Sequence, residues 1–296
     1  MSNSRRDFIR LSGLSALAFT SPIKKLSSII GDDFFAEKKL PAFGLQLYTI
    51  KEDMKSDAKE SIKKVASFGY NYIESFEEKD GKGMFWGMTN KEFKKFMDDL
   101  NIKIISSHCD IQKDFERKAA KASEIGMKYL ICPWKGPQKS IDDFKRFADE
   151  FNKCGEICRK NGIRFAYHNH DYSWKVLDGQ IPQEVMMNNT DKELVDFEMD
   201  IYWVVTAGID AEAYFKKYKN RFRLCHIKDR MKTPLPDNKN SSCVIGTGVI
   251  PFNKILKTGM DNGLNYFIVE QEYFENTTPL KSAADNAAYM RKFEVK

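Results

Sequence analysis

From about residue 43 onward the chain alternates short runs of apolar, β-branched and aromatic residues with longer stretches in which apolar residues return every three or four positions. The short runs fall at residues 43–49, 70–76, 102–108, 129–134, 163–170, 194–201, 222–228 and 266–271, each with the length and composition of a strand. Between them, Ile62, Val65 and Ala66, and again Phe144, Phe147, Ala148 and Phe151, mark the buried stripe of helices. Gly69, Gly126, Gly162 and Gly263 each precede a strand, where they suit the left-handed residue that closes a helix. Strand–helix alternation is the mark of parallel βαβ units, and eight units close a (β/α)8 barrel. A doubly wound open sheet competes with it. However, the first strand, Gly44-Leu45-Gln46-Leu47-Tyr48, runs into a polar helix start with no glycine-rich phosphate loop.

With 296 residues the chain exceeds the ~250 typical of one such barrel by about the length of a leader. The division is therefore residues 1–35 as signal and linker and residues 41–293 as a single barrel domain. The leader carries Arg5-Arg6-Asp7-Phe8 and then an apolar stretch, 11–19, too short for the ~20 residues that span a bilayer. It resembles a twin-arginine export signal, the route of proteins that fold before crossing, and predicts an exported, periplasmic protein. No later stretch is apolar enough for a membrane span. Lysine and arginine total 48 against 42 acidic residues, but the signs interleave, which describes a solvated surface and not a nucleic-acid face. The six cysteines include no CxxC pair and read as buried thiols; Cys154 and Cys158 share a helical face but lack partner ligands.

The chemistry gathers at strand ends. His168-Asn169-His170, Asp200, His226 and Glu270 are metal-ligand types spaced by about one βα unit, and parallel strands about 5 Å apart bring such residues onto one rim. Strand parity supports convergence. Arg164, Ala166, His168 and His170 share one face; so do Asp196, Glu198 and Asp200; Leu224, His226 and Lys228; and Ile268, Glu270 and Glu272. The opposite faces, with Phe165, Phe197, Met199 and Phe267, suit packing against helices. Asp196 and Glu198 are expected lower in the barrel as structural charges neutralised by Arg164 or Arg223. Mixed imidazole and carboxylate ligands predict one divalent metal, Mn, Mg, Co, Zn or Fe, with either His168 or His170 supplying the nitrogen from the fifth strand. Such a site polarises a carbonyl so that a carboxylate, Glu270 or Glu272, removes the proton alpha to it. Gln46, Tyr48, Glu74, His108, Trp134, Asn169 and Lys228 are expected to contact a polyhydroxylated ligand, Trp134 offering a face for a sugar ring. Residues 231–249, rich in Pro, Asn and Gly, read as either a lid or a surface insertion.

The segments Tyr167-His168-Asn169-His170-Asp171, Glu198-Met199-Asp200-Ile201-Tyr202-Trp203, Leu224-Cys225-His226-Ile227-Lys228-Asp229, Gly246-Thr247-Gly248-Val249-Ile250-Pro251-Phe252 and Val269-Glu270-Gln271-Glu272 together resemble the sugar phosphate isomerase/epimerase family of xylose isomerase-like barrels. The resemblance covers residues 41–293 and implies an α/β (β/α)8 TIM barrel with metal ligands Asp200, His226 and Glu270, and commonly a homodimer. The departure is on the fifth strand, where many epimerases place a metal-binding glutamate that is one of two opposed bases. This chain has His168-Asn169-His170, and a histidine base, His168, still permits isomerisation or elimination. Three readings follow. The first is a metal-dependent isomerase or epimerase of an unphosphorylated sugar, and the second a lyase or hydratase of keto-sugars and 3-keto-glycosides. The third is an exported carbohydrate-binding barrel without turnover. A multinuclear DNA-repair endonuclease of related fold needs more ligands than four histidines comfortably support.

Overall fold

A computed structural model describes residues 38–78, 80–236 and 240–295; the segment read above as a twin-arginine leader lies outside the described residues. Eight strands form a closed, all-parallel barrel: β1 Gly44–Gln46, β2 Tyr72–Phe76, β3 Lys103–His108, β4 Tyr129–Cys132, β5 Arg164–His168, β6 Val195–Asp200, β7 Phe222–Ile227 and β8 Tyr266–Val269. β8 pairs with both β7 and β1, so no strand edge is left open and the open-sheet alternative is excluded. Helices follow the strands on the outside: α1 Lys51–Ser56, α2 Ala58–Ser67, α3 Asn90–Asp99, α4 Phe115–Glu124, α5 Ile141–Lys160, α6 Pro182–Asn189, α7 Ile201–Thr206, α8 Ala211–Lys217, α9 Phe252–Asp261 and α10 Pro279–Met290. Among the described residues no helix is long and apolar enough to cross a membrane, and all six cysteines are free.

Alternation along each strand divides the core in two. Outward residues such as Ile73, Leu130, Phe165, Tyr167, Phe197, Met199, Cys225 and Phe267 join the helices in one large cluster, each large apolar side chain contributing about 1.5–3 kcal/mol of burial. Inward residues Tyr72, Ile105, Tyr129, Ile131, Ala166, Leu224 and Ile268 form a separate plug inside the barrel. Below the plug Arg164 pairs with Asp196, which also accepts from the Tyr129 hydroxyl at 3.0 Å, so Asp196 is the structural charge the sequence predicts. Gly44 is required by this packing, because a Cβ there would lie 2.2 Å from the Tyr72 ring. The helix-closing glycines also behave as expected, with φ of 92° at Gly69, 81° at Gly126, 72° at Gly162 and 102° at Gly263.

Two register shifts set the height of the residues above the plug. Between β2 and β3 the pairing passes from Ile73 and Ile104 to Glu74 and Ser106, leaving Ile105 unpaired. Between β6 and β7 it passes from Phe197 and Phe222 to Glu198 and Leu224, leaving Arg223 unpaired. An extra residue on one strand re-aims everything after it. The expected strand tails become local turns: residues after β1 form the helical turn Leu47–Ile50, and those after His170 form Asp171–Trp174.

Candidate metal centre

At the C-terminal mouth, β5 ends in His168, β6 in Asp200, β7 carries His226, and Glu270 follows β8 directly. One ligand atom from each lies within 4.8 Å of all the others. His168 Nε2 is 3.1 Å from His226 Nδ1 and 3.5 Å from Asp200 Oδ2. His226 Nδ1 is 3.7 Å from Asp200 Oδ2 and 3.2 Å from Glu270 Oε2. Atoms bound at about 2.1 Å to one ion stand about 3.0–3.4 Å apart, so the quartet is already close to ligand spacing.

The hydrogen bonds on the far side of each ring decide which nitrogen is free. His168 Nδ1 donates to the Pro133 carbonyl (3.3 Å), and His226 Nε2 donates to Glu74 Oε1 (2.8 Å). In the neutral form of each ring, the one that binds a metal, the remaining nitrogen carries its lone pair toward the quartet. Two lone pairs facing at 3.1 Å call for a proton or a cation between them. Asp200 adds a further sign. Its Oδ1 caps α7 by accepting from Trp203 N–H (3.0 Å), whereas its buried Oδ2 has no hydrogen-bond partner. An orphaned carboxylate oxygen beside two imidazole lone pairs fits a divalent ion, and these four residues could hold one.

Beneath lies a second cluster, Glu74, His108, Glu198 and His226. Glu74 is fully buried and accepts from Gln46 Nε2 (2.7 Å), Ser106 Oγ (2.5 Å) and His226 Nε2, with His108 Nε2 at 3.2 Å. His108 Nε2 lies 2.9 Å from Glu198 Oε2. Burial pushes the His108 imidazole down, but Glu74 and Glu198 more than reverse this and carry it up to about 9. Burial raises the Glu74 carboxyl, yet His108 and His226 hold it well below the usual range. Burial and the Glu74 charge together raise Glu198. Burial likewise lowers His226, and Glu198 and Glu270 reverse it.

Lys228 is wholly buried and reaches Glu270 Oε2 (3.1 Å), Glu272 Oε1 and, at 3.8 Å, Asp200 Oδ2. Burial opposes the Lys228 charge, but these carboxylates keep it an ammonium. Despite burial, Lys228 and His226 depress the Glu270 carboxyl. A cavity of about 1070 Å³ opens above, reached by Tyr48, His108, Trp134, His168, His170, Glu270 and Glu272.

Several expected roles change. His170 stays outside the quartet because the chain leaves the strand at Asn169; its ring packs edge-on to Trp134 at 4.5 Å. Burial and His168 lower its basicity. Gln46, Glu74, Asn169 and Lys228, expected against substrate, are instead buried supports. Gln46 is held between Glu74 and the Tyr48 N–H, and Asn169 bonds both the N–H (3.1 Å) and the carbonyl (3.3 Å) of Asp200. Tyr48 and Trp134 do line the cavity, and Trp134 is 52% exposed. Glu198, assigned beforehand to a lower structural layer with an arginine, instead pairs with His108 at the centre. The usable signal was its place two residues before Asp200, on the same face. In the segment read as lid or insertion, Ser242–Cys243 pairs with Asp229–Arg230 just before it, and Asn240 donates to Glu272 (2.9 Å).

A closed parallel barrel with buried imidazoles and carboxylates at its C-terminal mouth has the architecture that enzymes of this fold use for catalysis. The chain belongs to the family described as xylose isomerase-like TIM barrel, which matches residues 62–293. It is 30% identical over 144 residues to the inosose dehydratase of Clostridium perfringens strain ATCC 13124, covering 44% of this chain and 48% of that protein. The chain thus spans about half the length of the curated relatives it matches. Among solved structures, a sugar phosphate isomerase/epimerase from Parabacteroides distasonis is 28% identical with a TM-score of 0.74, over 86% of this chain and 99% of that one. The IOLI protein with a bound zinc atom shares the fold at 15% identity and a TM-score of 0.69, over 84% of this chain and 96% of that one.

Proposed function

We propose that the protein is a metal-dependent lyase of keto-sugars, removing the proton alpha to a carbonyl and expelling the group at the beta carbon as water or an alcohol. The observation that carries this reading is the asymmetry of the mouth. The carboxylates that reach the cavity at the quartet, Glu270 and Glu272, come from the end of β8 and face the imidazoles His108, His168 and His170, while Glu77, Glu78 and Asp110 line the cavity from the segments after β2 and β3, Glu77 being paired with Lys118. Two opposed carboxylate bases, as a symmetric epimerisation needs, are not what the side facing Glu270 and Glu272 supplies. One base and one acid are what an elimination needs. The relatives named inosose dehydratase support the same choice.

When bound by His168, Asp200, His226 and Glu270, a divalent ion would polarise the carbonyl and balance the negative charge that develops on its oxygen. Two imidazoles among the ligands favour Zn, Co, Mn or Fe(II) over Mg. Glu272 takes the proton from carbon, and the freed electron pair passes toward the carbonyl. Its return expels the beta oxygen, which receives a proton from His108, kept protonated near neutral pH by Glu74 and Glu198. Lys228 keeps Glu270 and Glu272 together. Export through the leader fits a carbohydrate met outside the cytoplasm.

The test is metal-loaded protein in deuterated water with aldoses, ketoses and 3-keto-glycosides, products being weighed by mass spectrometry. The lyase reading expects an unsaturated product lighter by water or by the aglycone. A product of unchanged formula carrying deuterium would transfer the assignment to isomerase or epimerase. Binding that survives Glu270→Gln, with no turnover by the intact protein, would leave a carbohydrate-binding barrel.

A further inference from the structure

The stretch Gly246-Thr247-Gly248 lies in the connection after β7, the part of the rim where barrels of this architecture frequently cradle a phosphate. A cradle of that kind is a set of converging backbone N–H groups. In this protein the anion in the cradle is its own. Asp229 Oδ1 accepts from the N–H groups of Arg230 (2.8 Å) and Ile250 (3.2 Å), and Oδ2 from those of Gly246 (2.9 Å) and Gly248 (3.0 Å). A carboxylate offers about four acceptor positions, so donors and acceptor saturate each other. Asp229 is 1% exposed. A Cβ on Gly248 would lie 2.3 Å from Asp229 Oδ1, and one on Gly246 2.2 Å from the Tyr289 ring. The glycines are therefore explained by the carboxylate and the ring packed on them, with no phosphate needed.

The filled loop is fastened to the reaction centre. Ser242 Oγ accepts from the Glu272 N–H (2.9 Å), and Asn240 donates to the Glu272 side chain. Among the described residues, cations on the cavity wall offer no replacement cradle. Lys118 is paired with Glu77 (2.7 Å), Lys135 with Glu150 (2.6 Å) and Arg117 with Asp114 (2.7 Å), leaving Lys113 exposed at the outer edge.

We infer that the substrate is an uncharged carbohydrate, and that Asp229 is the residue that denies a phosphate group the loop after β7. This rests on the proposed reading of the mouth as a carbohydrate site. A phosphorylated ligand would have to displace a fully bonded carboxylate or lie against its charge, and like charges so placed are strongly disfavoured.

Two measurements test it. First, inorganic phosphate is titrated into the intact protein while the amide resonances of Gly246 and Gly248 are followed. They stay in place if Asp229 holds the loop, and a saturable shift overturns the inference. In parallel, Asp229→Ser is expected to gain thermal stability with phosphate where the unmodified protein gains none. Should that variant not fold, the titration decides alone. Second, matched ketoses with and without a terminal phosphate are compared, with kcat/KM at least about a hundredfold lower for the phosphorylated member. Equal turnover of both overturns the inference. Turnover of neither counts against the lyase reading, while the amide titration still decides the role of Asp229.

Discussion

His226 stands between two clusters made of the same side-chain types, and the two differ in how their polar atoms are satisfied. In the lower one, Glu74 receives Gln46, Ser106 and His226 and faces His108, which also meets Glu198. There His226 Nε2 and His108 Nε2 each donate to a carboxylate, and among the carboxylate oxygens Glu198 Oε1 is left without a hydrogen-bond partner. In the upper one, two imidazole nitrogens face each other at 3.1 Å and Asp200 Oδ2 has no hydrogen-bond partner. Acidic and histidine residues in proximity thus do not by themselves define a cation site; imidazole nitrogens that converge with an orphaned carboxylate oxygen do. The lower cluster then has its own task, which is to fix the tautomer of His226 from behind.

The largest expected effect comes from opening the upper cluster. Asp200→Ala deletes the orphaned oxygen and should abolish metal retention, measured by elemental mass spectrometry after dialysis. Several kcal/mol of charge stabilisation would go with the ion, a loss of turnover on the order of a thousandfold or more. Metal content equal to that of the unmodified protein would remove Asp200 from the ligand set. His226→Ala should lose metal as well. It is the less clean variant, because it also strips a partner from Glu74, Glu198 and Glu270.

A smaller effect separates the two clusters. Glu74→Gln keeps shape and one acceptor oxygen but removes the charge behind His226, and outer partners of this type are worth about 10–100-fold in metal affinity. Competition against a chelator of known affinity measures it. If Glu74→Gln binds metal as tightly as the unmodified protein, the lower cluster does not serve the upper one.

The strand faces were legible before any coordinates because alternation has a period of two, and one face of β5 to β8 carries every candidate metal ligand. Eight runs of strand length with glycine-closed helices likewise pointed to a closed barrel. Height along the barrel axis was not legible. It depends on strand stagger and on the unpaired residues Ile105 and Arg223, which leave no local mark in the sequence. That is why Glu74 was placed against substrate and Glu198 with an arginine, although both sit behind His226. Asn169 was misread for a related reason. An amide between two candidate ligands looks like a contact, and only the end of β5 at His168 turns it toward the Asp200 backbone.

The smallest effect concerns the proton held in the lower cluster, and it is read on metal-free protein. His108 is raised from an ordinary 6.5 to about 9 by Glu74 and Glu198, against the opposing effect of burial. A group whose folded value is raised stabilises the fold fully below its unfolded value and loses that contribution as pH climbs through the folded one. The window therefore runs from about pH 6.5 to about pH 9, and the pH-dependent part is on the order of 3 kcal/mol. Chelator-treated protein should lose thermal stability across this window, and His108→Gln should flatten the slope there while leaving acid-side titrations in place. An identical slope in both proteins would mean that the proton resides elsewhere. The lower cluster would then be a neutral support, and His108 would lose its claim to be the acid that protonates the leaving oxygen.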